Sequence, residues 1–222
     1  MTRILAVDTT AEFGSIALIE GGETVSEELI HAPEGFGQVL FGRLEALLAR
    51  AGWKLKEIDC FAAAAGPGSF TGVRVGLAAV KGLAEALKRP AVGVSNLQAV
   101  ASFGSAPLRA AVLDARRGQI YGAVYDAALK AVTPEVVTSL PQWLASLPEG
   151  ELEFISTDFT PFRGALAGTR FENAPVLHAP RALAGAIGRI AAERLSAGAA
   201  QDPAALDANY VRRSDAEMFW KE

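Results

Sequence analysis

The sequence predicts an α/β fold. Short apolar runs bounded by turn residues recur along the chain, and such runs are typical of strands buried on both faces of a sheet. Segments whose apolar residues recur at helical spacing lie between them, and this alternation favours a sheet covered by helices. Half of the 222 residues are hydrophobic, which is ample material for a packed core in one large domain or two small ones.

The first half predicts a three-stranded meander followed by alternating helices and strands. Gly21-Gly22 supplies the turn between the second and third strands. Two amphipathic helices follow; Gly52 ends the first and Pro90 closes the second. The predicted strands of this half span residues 4–7, 15–19, 23–30, 60–65 and 91–94.

A second set of strands begins after Gly104-Ser105-Ala106-Pro107, so we predict one domain at 1–105 and a smaller one at 106–222. Pro180 stands at the first-turn position where a helix tolerates proline, and Gly198 ends this long helix. The helix is expected to pack back on the first domain. The other predicted elements are a short helix at 141–147 and strands at 109–113, 119–125, 132–138 and 152–155.

Composition argues against several classes of protein. The net charge is −4 and the pI is about 5.4, whereas unaided nucleic-acid binding needs a basic face, typically with a pI above ~9. Arg116-Arg117 and Arg212-Arg213 are isolated pairs, so RNA contact would need help from another molecule. No run approaches the ~18 apolar residues of a membrane span, and the start lacks a signal peptide's apolar region. We expect a cytoplasmic protein without membrane contact.

The most informative stretch is a glycine-rich segment between a predicted strand and a predicted helix, Gly66-Pro67-Gly68-Ser69-Phe70-Thr71-Gly72-Val73-Arg74-Val75-Gly76. Free amides and the positive end of a helix dipole at such a loop can hold an anion. The segment lacks a Walker A Gly-Lys-Ser/Thr, and its third glycine comes one residue late for the dinucleotide fingerprint. Its glycines equally suit a tight turn and close helix packing, so both interpretations stay open.

A second polar motif, Asp8-Thr9-Thr10, directly follows the first strand. A carboxylate at a strand end can orient a metal ion or a phosphate-bound water, although these side chains can also hydrogen-bond the local backbone of a turn. The candidate nucleotide-binding residues are therefore Asp8, Thr10, Gly66, Gly68, Ser69, Thr71 and Gly72.

Groups that could carry catalysis are sparse. His31 and His178 are the only histidines, and they are not at metal-ligand spacing on a helix. Cys60 opens an apolar run and is expected to be a buried thiol. No Gly-x-Ser-x-Gly elbow is present. We therefore predict no catalytic residue and no metal site.

Several segments, in this order and spacing, resemble the TsaB (YeaZ) family over residues 1 to about 125. They are Ile4 to Thr10, Gly66 to Gly76 with Lys81-Gly82-Leu83-Ala84 after it, Gly93-Val94-Ser95-Asn96-Leu97-Gln98-Ala99, and Asp114-Ala115-Arg116-Arg117-Gly118-Gln119-Ile120-Tyr121. The tail Asn209-Tyr210-Val211-Arg212 is similar to the family's closing motif. The resemblance implies two RNase H-like lobes of the actin, sugar-kinase and heat-shock ATPase (ASKHA) type, with a reduced C-terminal lobe. Asp8 would stand where that superfamily places its phosphate-contacting carboxylate.

The resemblance also implies a non-catalytic subunit of the complex that forms threonylcarbamoyladenosine in tRNA. The catalytic paralogue, TsaD, holds its metal on a His-x-x-x-His helix, and the corresponding helix around Phe36 to Ala51 has no histidine. The implied partners are a TsaD-like catalytic subunit, a TsaE-like ATPase and tRNA through the complex only, with a homodimer expected in isolation. No cofactor is expected to bind tightly. The only nucleotide that we expect is ATP or ADP at the partner interface.

Contact with TsaD is expected through the helices at about 36–51 and 70–88, which should expose apolar stripes. The predicted interface residues are Val39, Leu40, Leu44, Leu47, Val73, Leu77 and Val80. Two alternatives stay open: an ATP-dependent small-molecule or acyl kinase of the same fold, and an M22-type metallopeptidase. The lack of a second phosphate loop disfavours the kinase, and the lack of a zinc-binding histidine pair disfavours the peptidase.

Overall fold

A computed structural model of the chain describes residues 1–211, so Arg212 of the closing motif lies outside the described residues. These residues form two compact units. The first combines Met1–Asn96 with Arg181–Asn209, and the second comprises Leu97–Pro180 with Tyr210 and Val211. The division falls at Asn96, before the boundary predicted at 105. No helix in the described part of the chain is long and apolar enough to cross a membrane.

The first unit is built on a five-stranded mixed sheet with the order β3-β2-β1-β4-β5. The first three strands form the predicted antiparallel meander, whereas β1, β4 and β5 run parallel. The strands are β1 (Arg3–Asp8), β2 (Phe13–Glu20), β3 (Glu23–His31), β4 (Cys60–Gly66) and β5 (Ala91–Ser95), and the helices are α1 (Leu40–Ala51) and α2 (Phe70–Leu87), with a 3-10 turn at Leu55–Glu57. Helix α3 (Asn96–Ala101) directly follows β5 and, apart from Asn96, belongs to the second unit.

Side-chain alternation along β1 divides the core of this unit into two layers. Leu5 and Val7 lie in one apolar cluster with buried residues of α1 and α2. On the opposite face, helix α5 (Ala184–Ser196) approaches so closely that a Cβ on Gly188 would collide with Ile19 and crowd Ala6. The sheet is therefore covered on both faces, and α5 packs on the first unit.

The prediction that the apolar stripes of α1 and α2 form an exposed partner surface is wrong. Burial of a helix stripe against its own sheet is the ordinary outcome of amphipathic periodicity, and here the stripes fill the core of the unit. The buried members are Leu40, Leu44, Leu47, Val73, Leu77 and Val80; of the predicted set, Val39 alone stays exposed.

The second unit has its own mixed sheet, in the order β10-β9-β6-β7-β8. One face packs on an aromatic core that includes Trp143, Phe154 and Phe159. Strand β8 is shorter than the predicted 132–138, and β10 was not predicted because its three residues are too short to show alternation. The elements are β6 (Leu108–Asp114), β7 (Gln119–Asp126), β8 (Val136–Ser139), α4 (Leu140–Ser146), β9 (Leu152–Ser156), a 3-10 helix at Thr160–Leu166 and β10 (Val176–His178).

After α5 the chain returns along the outer edge of β5. Gln201 exchanges two backbone hydrogen bonds with Ala91, and the Lys81 ammonium donates to the carbonyl oxygen of Leu206 at 2.7 Å. Asn209 N–H then donates to the carbonyl of Ala65 at 2.7 Å. This segment, which contains a 3-10 turn at Pro203–Ala205, covers the edge of the sheet.

The N-terminus of α5 is capped by side chains from distant strands. The helix begins at Ala184, later than the predicted Pro180, and no side chain of its own caps it. Ser15 Oγ on β2 accepts hydrogen bonds from Leu183 N–H at 3.0 Å and Ala184 N–H at 2.8 Å, and Glu27 accepts from Gly185 N–H at 2.7 Å. A hydroxyl and a carboxylate thus satisfy amides that the helix itself leaves unbonded.

We expect Ser15→Ala to lower the free energy of unfolding by ~1–3 kcal/mol, because two buried amides lose their acceptor. Urea denaturation followed by circular dichroism measures the change. Ser26→Ala on β3 is the matched control, since within residues 1–211 the Ser26 hydroxyl makes no hydrogen bond. Equal losses in both variants would show that Ser15 does not cap α5.

Candidate functional site

The predicted site residue Asp8 lies in a buried hydrogen-bond cluster with Thr10 and Asn96. Asp8 Oδ1 accepts from Thr10 N–H at 2.9 Å and from the Thr10 hydroxyl at 2.7 Å. The Asn96 amide donates to Thr10 Oγ1 at 2.8 Å and to Asp8 Oδ1 at 3.4 Å, while its own Oδ1 accepts from Gly66 N–H at 3.1 Å. Each polar group in this cluster therefore has a partner within the chain.

The sheet topology explains why these residues meet. Asp8 ends β1, Gly66 ends β4 and Asn96 directly follows β5, and these strands are parallel neighbours. Carboxyl ends of parallel strands lie at one edge of a sheet, which is where α/β proteins place ligand-binding residues. Sequence reasoning found Asp8 but missed Asn96, although Asn96 follows its strand just as Thr9 and Thr10 follow β1.

Burial raises the pKa of the Asp8 carboxyl above its ordinary value of 3.8, and the nearby Glu27 carboxylate acts in the same direction. Hydrogen bonds from Thr10 and Asn96 oppose this rise without cancelling it. The Asp8 carboxyl is buried, and its Oδ1 accepts three hydrogen bonds from neighbouring groups, so it links adjacent strands. It holds the ends of β1, β4 and β5 together through Thr10 and Asn96.

The glycines of the predicted phosphate loop bring α2 into close contact with the turn after β1. A Cβ on Gly68 would lie 2.6 Å from the Thr10 carbonyl oxygen, and one on Gly72 would collide with the Thr9 carbonyl oxygen. Further along α2, a Cβ on Gly76 would lie 2.5 Å from Thr9 Oγ1. Close helix packing, one of the two interpretations left open by the sequence, therefore requires glycine at these positions.

Two backbone amides of the loop also donate hydrogen bonds within the chain. Ser69 N–H donates to the Thr10 carbonyl at 2.7 Å, and Gly72 N–H donates to Ser69 Oγ at 3.3 Å, which makes Ser69 the N-cap of α2. Thr9 completes the contact by donating its hydroxyl to the Gly72 carbonyl at 2.7 Å. Thr71 is exposed in the first turn of the helix.

The described residues hold no group of three histidine, cysteine or acidic side chains that could bind a metal ion. Cys60 is buried within β4, and burial raises the pKa of its thiol to about 12, so it stays protonated at neutral pH. His31 does not face the Asp8 cluster; its ring stacks on Phe13 at 4.4 Å between centroids, and its Nε2 lies 2.6 Å from a Glu12 carboxylate oxygen.

The outer faces of α1 and α2 expose three large apolar side chains, of which only Val39 belongs to the predicted interface set. Val39, Phe41 and Phe70 are 38%, 56% and 43% exposed. The Arg74 guanidinium stacks over the Phe70 ring at 3.6 Å, which keeps this aromatic side chain in place on the surface. Exposed large side chains at both helix starts distinguish these faces from an ordinary polar helix surface.

Comparison with protein families and curated proteins links the chain to tRNA modification proteins. A family model described as TsaD, tRNA N6-adenosine threonylcarbamoyltransferase, matches residues 33–163. The Escherichia coli tRNA threonylcarbamoyladenosine biosynthesis protein TsaB is 38% identical over 128 residues, an alignment that spans 56% of this chain and 55% of the relative. The Bacillus subtilis protein of the same name is 29% identical across 99% of this chain and 98% of the relative.

Solved structures show the same fold. YeaZ from Pseudomonas aeruginosa superposes with a TM-score of 0.79 at 26% identity, over 95% of this chain and 100% of that one. An activator of 2-hydroxyisocaproyl-CoA dehydratase from Clostridium difficile, solved with bound ADPNP, has a TM-score of 0.50 at 9% identity, over 89% of this chain and 98% of that one. The fold is therefore α/β of the ASKHA type, as expected.

We expect Gly72→Ala to lower the free energy of unfolding by about 1–3 kcal/mol, because the added Cβ forces α2 away from the Thr9 carbonyl. Gly82→Ala on the same helix is the matched control. Its Cβ would meet nothing within 4 Å, so the better helix propensity of alanine should raise stability by ~0.5–1 kcal/mol. Urea denaturation of both variants checks the difference in sign. A Gly72→Ala protein as stable as wild type would disprove the close-packing role.

Asp8→Asn should remove a pH-dependent component of stability. Since the folded-state pKa of Asp8 is raised, the folded protein binds this proton more tightly than the unfolded chain, and stability falls as the pH rises from 3.8 through the raised pKa. Asparagine keeps the acceptor oxygen without the charge. The stability difference, variant minus wild type, should therefore grow with pH in that window.

Urea denaturation across a pH series measures this difference. Asp207→Asn is the control, because it removes one carboxylate charge at an exposed position instead of a buried one. An Asp8→Asn profile parallel to that of wild type would contradict the assignment of a destabilising buried charge.

Proposed function

The chain belongs to the TsaB (YeaZ) family, within the wider group matched by the TsaD family model, and on this premise we propose that it is a non-catalytic subunit in the formation of threonylcarbamoyladenosine in tRNA. The observation that carries the proposal is the alignment with the Bacillus subtilis TsaB along 99% of the chain. In this role the chain binds and stabilises a TsaD-type catalytic subunit.

The internal bonding of the Asp8 cluster supports a role without chemistry. A phosphoryl-transferring ATPase needs its strand-end carboxylate facing the nucleotide and its metal, whereas Asp8 is buried and accepts from Thr10 and Asn96. No observation favours the kinase alternative or the metallopeptidase alternative. The proposal therefore rests on contact between proteins.

In this proposal the partner binds to the outer faces of α1 and α2. The match to the TsaD model begins at residue 33, just before α1, and runs through α2, so TsaD-type proteins share these helices. Related surfaces on two homologous chains can pair about a pseudo-two-fold axis, as identical surfaces do in a dimer. A stable pairing of this kind buries ~1,200–2,000 Å² in total.

The side chains on these faces suit such an interface. Phe41 and Phe70 offer aromatic anchors, and Arg74 adds a cation beside one of them. Ala46 and Ala78 are exposed on the same helices and are small enough to let a partner helix come close. The partner surface thus consists of exposed residues beside the buried stripe, together with Val39.

The remaining partners follow from the same assembly. In isolation the chain pairs with a second copy through the same faces, and a TsaE-like ATPase docks on the heterodimer. The acidic chain reaches tRNA only within the complex. No cofactor binds tightly to the chain alone; ATP or ADP is held at the partner interface, where the exposed N-terminal turn of α2 with Ser69 and Thr71 can supply donors.

Phe41→Ala and Phe70→Ala should each weaken binding of the cognate TsaD-type protein about tenfold or more, because each removes an apolar anchor. Stability of the isolated variants should stay close to wild type, since both rings are exposed. Fluorescence or calorimetric titration measures the affinity.

Leu29→Ala on β3 is the control, because Leu29 is 49% exposed but lies on neither helix. No stable complex of the wild-type pair at micromolar concentration would overturn the proposed function. A complex that forms but is equally tight in all three variants would overturn only this placement of the interface.

A further inference from the structure

The end of α2 and the chain that returns after α5 form the two walls of an open cleft with a volume of about 410 Å³. Its floor is apolar and includes the buried Ala84 and Pro203. The cleft lies beside Pro90, where β5 begins, and therefore at the edge of the sheet opposite to Asp8, which ends β1. Small-molecule sites have volumes of ~300–1,000 Å³. The cleft is thus a candidate site separate from the Asp8 cluster.

The walls of the cleft are held by backbone hydrogen bonds. Arg89 N–H donates to the Ala84 carbonyl at 2.9 Å and closes the last turn of α2. On the other wall, Gln201 and Ala91 exchange two backbone hydrogen bonds, each of 2.9 Å. The cleft is therefore preformed, and a ligand binds without having to order either wall.

Lys88 lines the cleft in a backbone conformation that favours glycine. It is the residue directly after α2, and its φ angle of 53° lies in the left-handed region. Gly52 has the same position and conformation after α1, with a φ angle of 69°. Glycine enters this region freely, whereas a lysine is sterically disfavoured there. The lysine is kept despite this conformational cost, which indicates a role for its ammonium group.

Opposite charges line the cleft without pairing with one another. Glu85 and Asp202 supply two carboxylates, and Lys88 and Arg89 supply two cations. Within residues 1–211, the side chains of Glu85 and Lys88 make no hydrogen bond and no ion pair. Arg89 lies 3.9 Å from Asp59, and Asp202 uses one carboxylate oxygen to cap a 3-10 turn. Each sign of charge therefore has a group available to a ligand.

We propose that this cleft binds a small zwitterion of the α-amino-acid class. The carboxylate of the ligand contacts the Lys88 ammonium, with Arg89 beside it, and the ammonium of the ligand contacts the Glu85 carboxylate. The negative end of the α2 dipole favours a cation at this place. The side-chain amide of Gln201, which makes no hydrogen bond within residues 1–211, can bond either end of the ligand. The apolar floor accommodates the side chain of the amino acid.

A ligand with a single charge fits the cleft less well. An anion would meet the carboxylates of Glu85 and Asp202 and the negative end of α2, and a cation would meet Lys88 and Arg89. Either ligand would therefore be repelled by charges of its own sign. A ligand that carries both charges meets an opposite charge at each end.

A stabilising role at the helix end is the structural alternative for Lys88. Basic side chains near a helix C-terminus interact favourably with its dipole, and the last turn of α2 itself contains no basic residue. The two roles predict different results for Lys88→Gly. Loss of a dipole contact lowers stability, whereas relief of the left-handed strain should raise the midpoint of thermal unfolding by roughly 2–4 °C.

The test adds each standard L-amino acid in turn to the full-length chain and follows the backbone amides by NMR. At least one amino acid should bind with a Kd of about 1 mM or tighter. The shift changes should be confined to residues 84–90 and 200–203. Acetate and methylammonium, which each carry one of the two charges, should bind about tenfold more weakly.

Variants of the charged residues assign the binding to the cleft. Lys88→Gly and Glu85→Gln should each weaken amino-acid binding about tenfold, and Lys88→Arg should retain most of it. The control Glu45→Gln/Lys56→Gln removes one charge of each sign at exposed positions outside the cleft and should leave the affinity unchanged.

An absence of localised shift changes with every amino acid would overturn the proposal. So would binding of acetate as tight as that of the amino acids, because the cleft would then be a simple anion site. A lower midpoint of thermal unfolding in Lys88→Gly, with amino-acid binding unchanged, would assign the lysine to the helix end and would also overturn it. These measurements use the chain alone, so their outcome is independent of the partner proposed above.

Discussion

The close approach of the α2 N-terminus to the turn after β1 is the constraint on which the rest of the first unit depends. Gly68 and Gly72 allow this approach because a side chain at either position would collide with carbonyl oxygens of Thr9 or Thr10. The contact places Ser69 as the helix cap and brings Thr10 next to Asp8 and Asn96. One packing requirement thus determines the conformation of both motifs that the sequence offers as candidates for nucleotide binding.

This constraint also fixes which residues of α1 and α2 face the core and which face outward. Their inward stripes, with Leu44 and Leu77, fill the core, and the glycine-rich contact fixes the position of α2 on the sheet. Their outward faces are left with Phe41, Phe70 and small residues. A rigidly positioned pair of helices with exposed aromatic groups is suited to docking, because little conformational freedom is lost when a partner binds.

Local patterns predicted most of the elements but could not identify every contact between them. Helical spacing located the Leu44 stripe, yet periodicity alone does not say whether a stripe meets its own sheet or another protein. Asn96 escaped detection because its partners are 86 and 88 residues away in sequence. The first-turn preference of proline predicts a helix start at Pro180, but α5 begins at Ala184, where its cap Ser15 lies 169 residues away in sequence. Long-range polar contacts of this kind leave no local signal.

We infer that the Asp8 cluster and the glycine-rich segment have structural roles in the isolated chain. Isothermal titration of the purified chain with ATP and magnesium tests it most directly. We predict no site of micromolar or tighter affinity, because Asp8, Ser69 and Gly72 already bond within the chain. Tight stoichiometric binding of ATP by the chain alone would contradict these structural roles and favour an active kinase of the same fold.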